Sequence, residues 1–238
     1  MTWRWLICSS LLSATLVQAS SVAGRIELRD SKDPGVRKKQ DYSGVVVWLE
    51  LVDKATAHKP TPIRARILQK DKTFSPHVLT VPTGSTVDFP NLDPVFHNAF
   101  SNYDGQVFDV GLYPPGTSRA VRFARPGIVR IFCNIHSSMT AIVAVVDSIW
   151  FDTTKSDGRF EFRDVPPGEY QLKVFHERAT AASLNAAQRP VLVTAQPTSL
   201  PPITVSESGY LSIPHKDKFG RDYKPVPEDT GIYPVTRK

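Results

Sequence analysis

Hydrophobic residues in this chain come in short β-branched or aromatic runs, broken by Gly, Pro, Asp and Asn, with almost no helical periodicity after the first twenty residues. Runs of this length and composition predict strands, so the chain reads as all-β. The predicted strands cover 22–28, 45–52, 64–69, 77–81, 86–89, 118–123, 127–132, 141–146, 159–163 and 170–175. Asp157-Gly158 and Pro166-Pro167-Gly168 supply turns between the last of them. One stretch, 179–188, has helical character and is bounded by Pro190. From about Pro197 the apolar residues stand singly among Pro, Ser and charged residues, which predicts an extended tail over 197–238. Tyr210, Phe219, Tyr223 and Tyr233 could pin that tail to a domain surface.

The first residues follow a different pattern. Arg4 precedes an apolar run from Trp5 to Val17, which ends in Val17-Gln18-Ala19-Ser20. That is the layout of a secretory signal peptide over 1–19, cleaved after Ala19. The run is too short to span a bilayer and no later stretch is long and apolar enough, so no membrane span is expected. The expected location is periplasmic or secreted.

Export changes the meaning of the cysteine count. Cys8 leaves with the signal, and Cys133 is then the one remaining thiol, in a compartment that favours oxidation. A buried, inert Cys is the bland explanation; a thiolate held by a metal is the sharper one. The full chain of 238 residues carries a formal charge of +6, and loss of the signal, whose charged residue is Arg4, leaves +5. This balance favours an acidic partner or a negatively charged surface. The cations are dispersed and no recognition helix or RNA-binding motif accompanies them, which argues against nucleic acid.

The chemistry concentrates in Phe132-Cys133-Asn134-Ile135-His136-Ser137-Ser138-Met139, just after a predicted strand. A thiolate, an imidazole and a thioether on one short loop suit copper, because soft sulfur favours Cu(I) and imidazole serves both oxidation states. A second imidazole must come from elsewhere, and His97, 36 residues upstream and just past another strand end, is the natural supplier. Zinc competes poorly: a thioether is a weak zinc ligand, and structural zinc sites recruit four Cys or His side chains. A Cys–His nucleophile lacks an evident orienting group or oxyanion loop. His58, His77, His176 and His215 are read as solvated or structural.

These residues resemble the cupredoxins, the family of plastocyanin, azurin, pseudoazurin and amicyanin. The Cys-x2-His-x2-Met spacing of Cys133, His136 and Met139 is similar to the shortest loop class, seen in amicyanin, and His97-Asn98 resembles the family's His-Asn pair. The resemblance covers about 64–147. It implies one copper ion, cycling between Cu(I) and Cu(II), held by His97, Cys133, His136 and, at the axial position, Met139. It also implies that Asn98 ties the two ligand loops together, with Asn134 supplying the backbone N–H beside Cys133. His136 would lie nearest the surface, with Pro94, Phe96, Leu112 and Ile135 as an apolar docking patch. The family includes proteins associated with methylamine utilisation, though no residue here identifies that pathway.

A second resemblance lies outside this segment. Residues 157–174, Asp157-Gly158-Arg159-Phe160 through Pro166-Pro167-Gly168-Glu169-Tyr170, are similar to the carboxypeptidase-regulatory-like, transthyretin-related β-sandwich. In that family a strand such as Val22-Ala23-Gly24-Arg25-Ile26 and a Gly-led strand such as 44–50 belong to the same domain. The expected organisation is therefore a cupredoxin-like Greek-key β-sandwich over 64–147, inserted into a discontinuous transthyretin-like sandwich built from 20–63 and 148–196; a simple linear order is the alternative. The expected function is one-electron transfer to a redox partner protein, without enzymatic activity. A copper carrier or storage protein, and a surface-binding module with a structural metal, are the other readings.

Overall fold

The computed structural model describes residues 19–54, 59–102, 105–211 and 214–223. Most of the signal sequence, His58, and the chain beyond Tyr223, including Tyr233, lie outside the described residues.

The fold is all-β with two short helices among the described residues. In chain order the elements are β1 (Ser20–Arg29), α1 (Pro34–Lys39), β2 (Val46–Leu51), β3 (Arg64–Arg66), β4 (Leu68–Lys70), β5 (Thr73–Ser75), β6 (Val78–Pro82) and β7 (Thr86–Pro90). They continue with β8 (Phe100–Ser101), β9 (Phe108–Asp109), β10 (Ser118–Arg122), β11 (Gly127–Phe132), β12 (Thr140–Val146), β13 (Phe151–Thr153) and β14 (Arg159–Val165). The last are β15 (Gly168–Phe175), α2 (Ala181–Ala187), β16 (Arg189–Val193), β17 (Thr198–Ser199) and β18 (Ile203–Ser206).

Two sandwiches result, each closed around its own core. In one, β10-β7-β3 and β6-β12-β11-β8-β9 enclose Ile67, Val87, Phe89, Ile131, Val143 and their neighbours. In the other, β14-β1-β17, with β18 also on β1, and β13-β2-β15-β16 enclose Val22, Ile26, Val47, Leu49, Phe162 and Leu172. Strands on either side of the 64–146 segment pair with each other. β1 runs antiparallel to β14, from Val22 opposite Phe162 to Arg25 opposite Arg159. β2 runs antiparallel to β15, from Leu51 opposite Tyr170 to Val46 opposite Phe175.

The uninterrupted apolar run of β12 has a direct cause. Side chains alternate between faces, so Ala141, Val143 and Val145 enter the first core while Ile142 and Ala144 enter a third cluster with Val46 and Phe175. That cluster joins the two sandwiches, and β12 has no solvent face left to be polar. β2 works the same way from the other side, with Val47 and Leu49 inward, like Val45 just before it, and Val46 toward β12. Each fully buried large aliphatic side chain at this junction contributes roughly 1.5–3 kcal/mol.

Three local readings differ from the structure. The strand expected over 64–69 is broken at Ile67: β3 pairs parallel with β7, the buried Ile67 donates its N–H to the Asp88 carbonyl at 2.9 Å, and the chain then turns to pair β4 with β5. Residues 197–206, read as the start of an extended tail, form β17 and β18 parallel to β1, with Ile203 and Val205 buried against it. α1 is a six-residue helix that hydrophobic periodicity is too short to register. Asp33 caps it by accepting from the N–H groups of Gly35 and Val36, and Pro34 stands at its start.

Candidate metal centre

His97 and Cys133 arrive at one point from two strand ends. After β7, the buried Asn91 organises the loop: its side-chain amide donates to the Val95 carbonyl at 2.8 Å and its Oδ1 accepts from the Asp93 N–H at 3.0 Å. His97 is then held by reciprocal backbone bonds with Tyr113, at 2.9 and 3.3 Å. On the other side β11 ends at Phe132 and Cys133 follows. The loop to β12 closes on itself, because Cys133 N–H donates to the Met139 carbonyl at 3.2 Å and Met139 N–H to the His136 carbonyl at 3.0 Å.

The result is a group of ligating atoms. Cys133 Sγ lies 3.8 Å from His97 Nδ1 and 3.9 Å from His136 Nδ1. The three atoms fall within 4.8 Å of one another, and among the described residues this is the one such group of His, Cys, Asp or Glu. The two sulfur–nitrogen separations fit a shared ion. A metal about 2.3 Å from sulfur and about 2.05 Å from nitrogen, with 120° between the bonds, sets sulfur and nitrogen roughly 3.8 Å apart. His97, Cys133 and Met139 are fully buried and His136 is half-buried, so water reaches the group from one side. Met139 shares the core cluster of Cys133, and its backbone closes the loop.

The surroundings of the sulfur favour the thiolate. Burial pushes the Cys133 thiol up, but hydrogen bonds from His136 and His97, and from the backbone N–H groups of Asn98 and Ile135, outweigh burial and bring it down to about 5. A thiolate is the form that binds metal.

Around these residues runs a closed circuit of hydrogen bonds. Asn98 Oδ1 accepts from the Asn134 N–H at 2.6 Å; Asn134 Oδ1 accepts from the Lys218 N–H at 3.0 Å. The Lys218 ammonium pairs with Asp109 at 2.7 Å, and Asp109 accepts from Asn98 Nδ2 at 3.1 Å. Burial raises the Asp109 carboxyl, but Lys218, the Gly111 N–H and Asn98 hold it below its ordinary value. Thus Asn98 and Asn134 link the His97 and Cys133 loops directly.

Residues 214–223 cover one flank of the Cys133–Met139 loop. Tyr223 donates its hydroxyl to the Cys133 carbonyl at 2.6 Å. His215 donates from Nε2 to the Ser137 carbonyl at 2.7 Å and stacks on Phe132, with ring centroids 4.2 Å apart. Pro94, Phe96 and Leu112 are exposed, as is Leu92, while Ile135 is half-buried against the core.

Sequence reasoning missed Asp93, Asp109, His215, Lys218 and Tyr223 as neighbours of the site. Asp93 carried a local signal, an acidic residue four positions before the histidine. The others reach the site only through the fold. His77 and His176 pair with Glu177 and Glu207, at 2.8 and 2.9 Å, and are not in the metal group.

No family model matches the chain, and the curated proteins give no match. Among solved structures this chain is similar to a purple cupredoxin from Nitrosopumilus maritimus, 26% identical over 34% of this chain and 99% of that one, with a TM-score of 0.31. It is similar to an amicyanin from Paracoccus versutus, 17% identical over 41% and 97% of the two chains, TM-score 0.32. It is also similar to a copper-containing nitrite reductase from Thermus scotoductus, 25% identical over 42% of this chain and 25% of that one, TM-score 0.34. Each overlap takes in less than half of this chain.

Proposed function

We propose that this chain is an exported type 1 copper protein that carries single electrons, with His97, Cys133 and His136 as ligands and Met139 as the weak axial one. One observation carries the proposal: a buried imidazole and a half-buried one converge on the buried Cys133 sulfur at the sulfur–nitrogen separations a shared metal requires. Copper is favoured over zinc because the donor set is soft and stops at three Cys or His side chains among the described residues, with a thioether on the same loop. Copper bound there would supply a Cu(I)/Cu(II) couple.

The chain's own residues divide the remaining work. The core around His97, Cys133 and Met139 excludes water and fixes the donor atoms before a metal arrives, which keeps reorganisation small. His136 marks the open side, and Pro94, Phe96, Leu112 and Ile135 form the docking patch around it. The reading places the copper domain at 64–147, between the two parts of an outer sandwich at 20–63 and 148–196, followed by a C-terminal tail; the pairing of β1 with β14 and of β2 with β15 supports it. The signal pattern at the N-terminus supports a periplasmic or secreted location, and no described helix is long and apolar enough to cross a membrane. The chain is read as a carrier of single electrons, with His97, Cys133 and His136 as its donor group.

The partner is proposed to be an acidic redox protein. Three cations of the segment that covers the ligand loop are paired, Lys218 with Asp109, Lys216 with Asp222 and Arg221 with Asp217. Attraction would therefore come from the overall +5 balance and be lost with salt. The test is electron exchange with an acidic and a basic redox protein of similar potential, across ionic strength. Faster exchange with the acidic protein, converging on the other as salt rises, supports the proposal. Exchange indifferent to partner charge, salt and an Ile135→Lys rim change, alongside rapid Cu(I) transfer to a chelator, contradicts it and favours a copper carrier.

A further inference from the structure

We infer that Asp93 is a positioning residue for the metal centre, an anionic anchor that fixes the His97 ring and strengthens it as a donor. The inference rests on the metal reading above and adds a residue to it. His97 Nδ1 faces Cys133 Sγ at 3.8 Å, and on the opposite edge of the ring Nε2 lies 2.7 Å from Asp93 Oδ2. A carboxylate only accepts, so this contact holds a ring proton on Nε2; in the metal-free site Nδ1 also carries a proton toward Cys133 Sγ, and a bound metal would take that proton's place at Nδ1.

Asp93 is itself held by the backbone. It is buried, and its Oδ1 accepts the Asp71 N–H at 2.6 Å while Oδ2 accepts the Lys72 N–H at 2.9 Å. Asp71 and Lys72 form the β4–β5 turn, and both have φ near +54, a left-handed conformation that Asp adopts more readily than most residues and Lys does not favour. Two successive N–H groups in such a turn make a small concave donor surface suited to an anion. The Asp93 carboxylate fills it and, through His97, couples that hairpin to the centre. The carboxylate also lies outside the ring of donor atoms and brings a full negative charge close to them in a dry region, where charges are screened weakly.

Both effects favour the more highly charged metal state. Removing the charge while keeping the shape should favour Cu(I). Asp93→Asn is expected to shift the preference for Cu(I) over Cu(II) by roughly tenfold, which for one electron is about +59 mV in potential. The ring proton is read separately by long-range nitrogen–proton NMR in the zinc-loaded, diamagnetic protein. The wild type should carry a protected proton on His97 Nε2, and Asp93→Asn should let it exchange faster.

An unchanged potential in Asp93→Asn with an intact copper spectrum, or a wild-type His97 proton on Nδ1, overturns the inference. Should Asp93→Asn fail to fold, the wild-type ring proton decides alone: on Nε2 and protected it supports the anchor, elsewhere it contradicts it. A wild type without the copper charge-transfer band counts against the copper reading instead, and the zinc-loaded ring signals still judge Asp93.

Discussion

The Asn134 N–H donates to Asn98 Oδ1 at 2.6 Å, joining the loop of Cys133 to the loop of His97 by a hydrogen bond between residues 36 apart in sequence. Because Asn98 also donates to Asp109, one buried side chain closes two links of the circuit around the centre. Asn98→Ala would leave the Asn134 N–H without that acceptor. The expected loss is about 1–3 kcal/mol of stability, read as a lower denaturant midpoint at unchanged slope. An unaltered midpoint would mean that the two loops hold together without this residue.

The thiolate state of Cys133 makes a prediction about pH in the metal-free protein. Its folded value, about 5, lies below the roughly 8.5 of an unfolded cysteine. The stability it contributes is therefore fully present above about pH 8.5 and is lost as pH falls through about 5. Thiolate ultraviolet absorbance should disappear with a midpoint near 5, and Cys133→Ser should flatten that part of the stability profile. A midpoint near the ordinary thiol value would contradict the electrostatics of the site.

Met139 separates ligation from packing. Met139→Leu preserves most of the buried volume and should cost less than about 1.5 kcal/mol in stability, while raising the reduction potential. Met139→Gln should lower it, because an oxygen donor favours Cu(II). Equal potentials in the two variants and the wild type would assign Met139 to the core alone.

Tyr223 tests the segment that covers the ligand loop. Tyr223→Phe removes the hydrogen bond to the Cys133 carbonyl and leaves the ring, so a loss of roughly 0.5–1.5 kcal/mol is expected, together with faster copper release to a chelator. Release at the wild-type rate would show that residues 214–223 lie on the loop without restraining it.

Much of this architecture was readable from the chain because the relevant signals are local. The alternation in β1 and β14, the continuous apolar run of β12, and the Cys133, His136 and Met139 spacing each lie within ten residues. What was hidden depends on distant partners. The break at Ile67 arises because β3 and β4 pair with different strands, and β18 is a strand because β1 offers it an edge. Tyr223 meets Cys133 across 90 residues, and Lys218 meets Asp109 across 109. No periodicity encodes such contacts. Asp93 lies between these cases: its spacing from His97 was visible, but the Asp71–Lys72 turn that orients it was not.

The central claim is that Cys133 sulfur and two imidazoles share one copper ion, and an optical and paramagnetic-resonance spectrum of the purified protein with one equivalent of Cu(II) tests it most directly. The account predicts an intense thiolate-to-copper charge-transfer band with the narrow copper hyperfine splitting of a type 1 site, abolished in Cys133→Ser. A colourless wild-type complex with ordinary tetragonal copper parameters would contradict it.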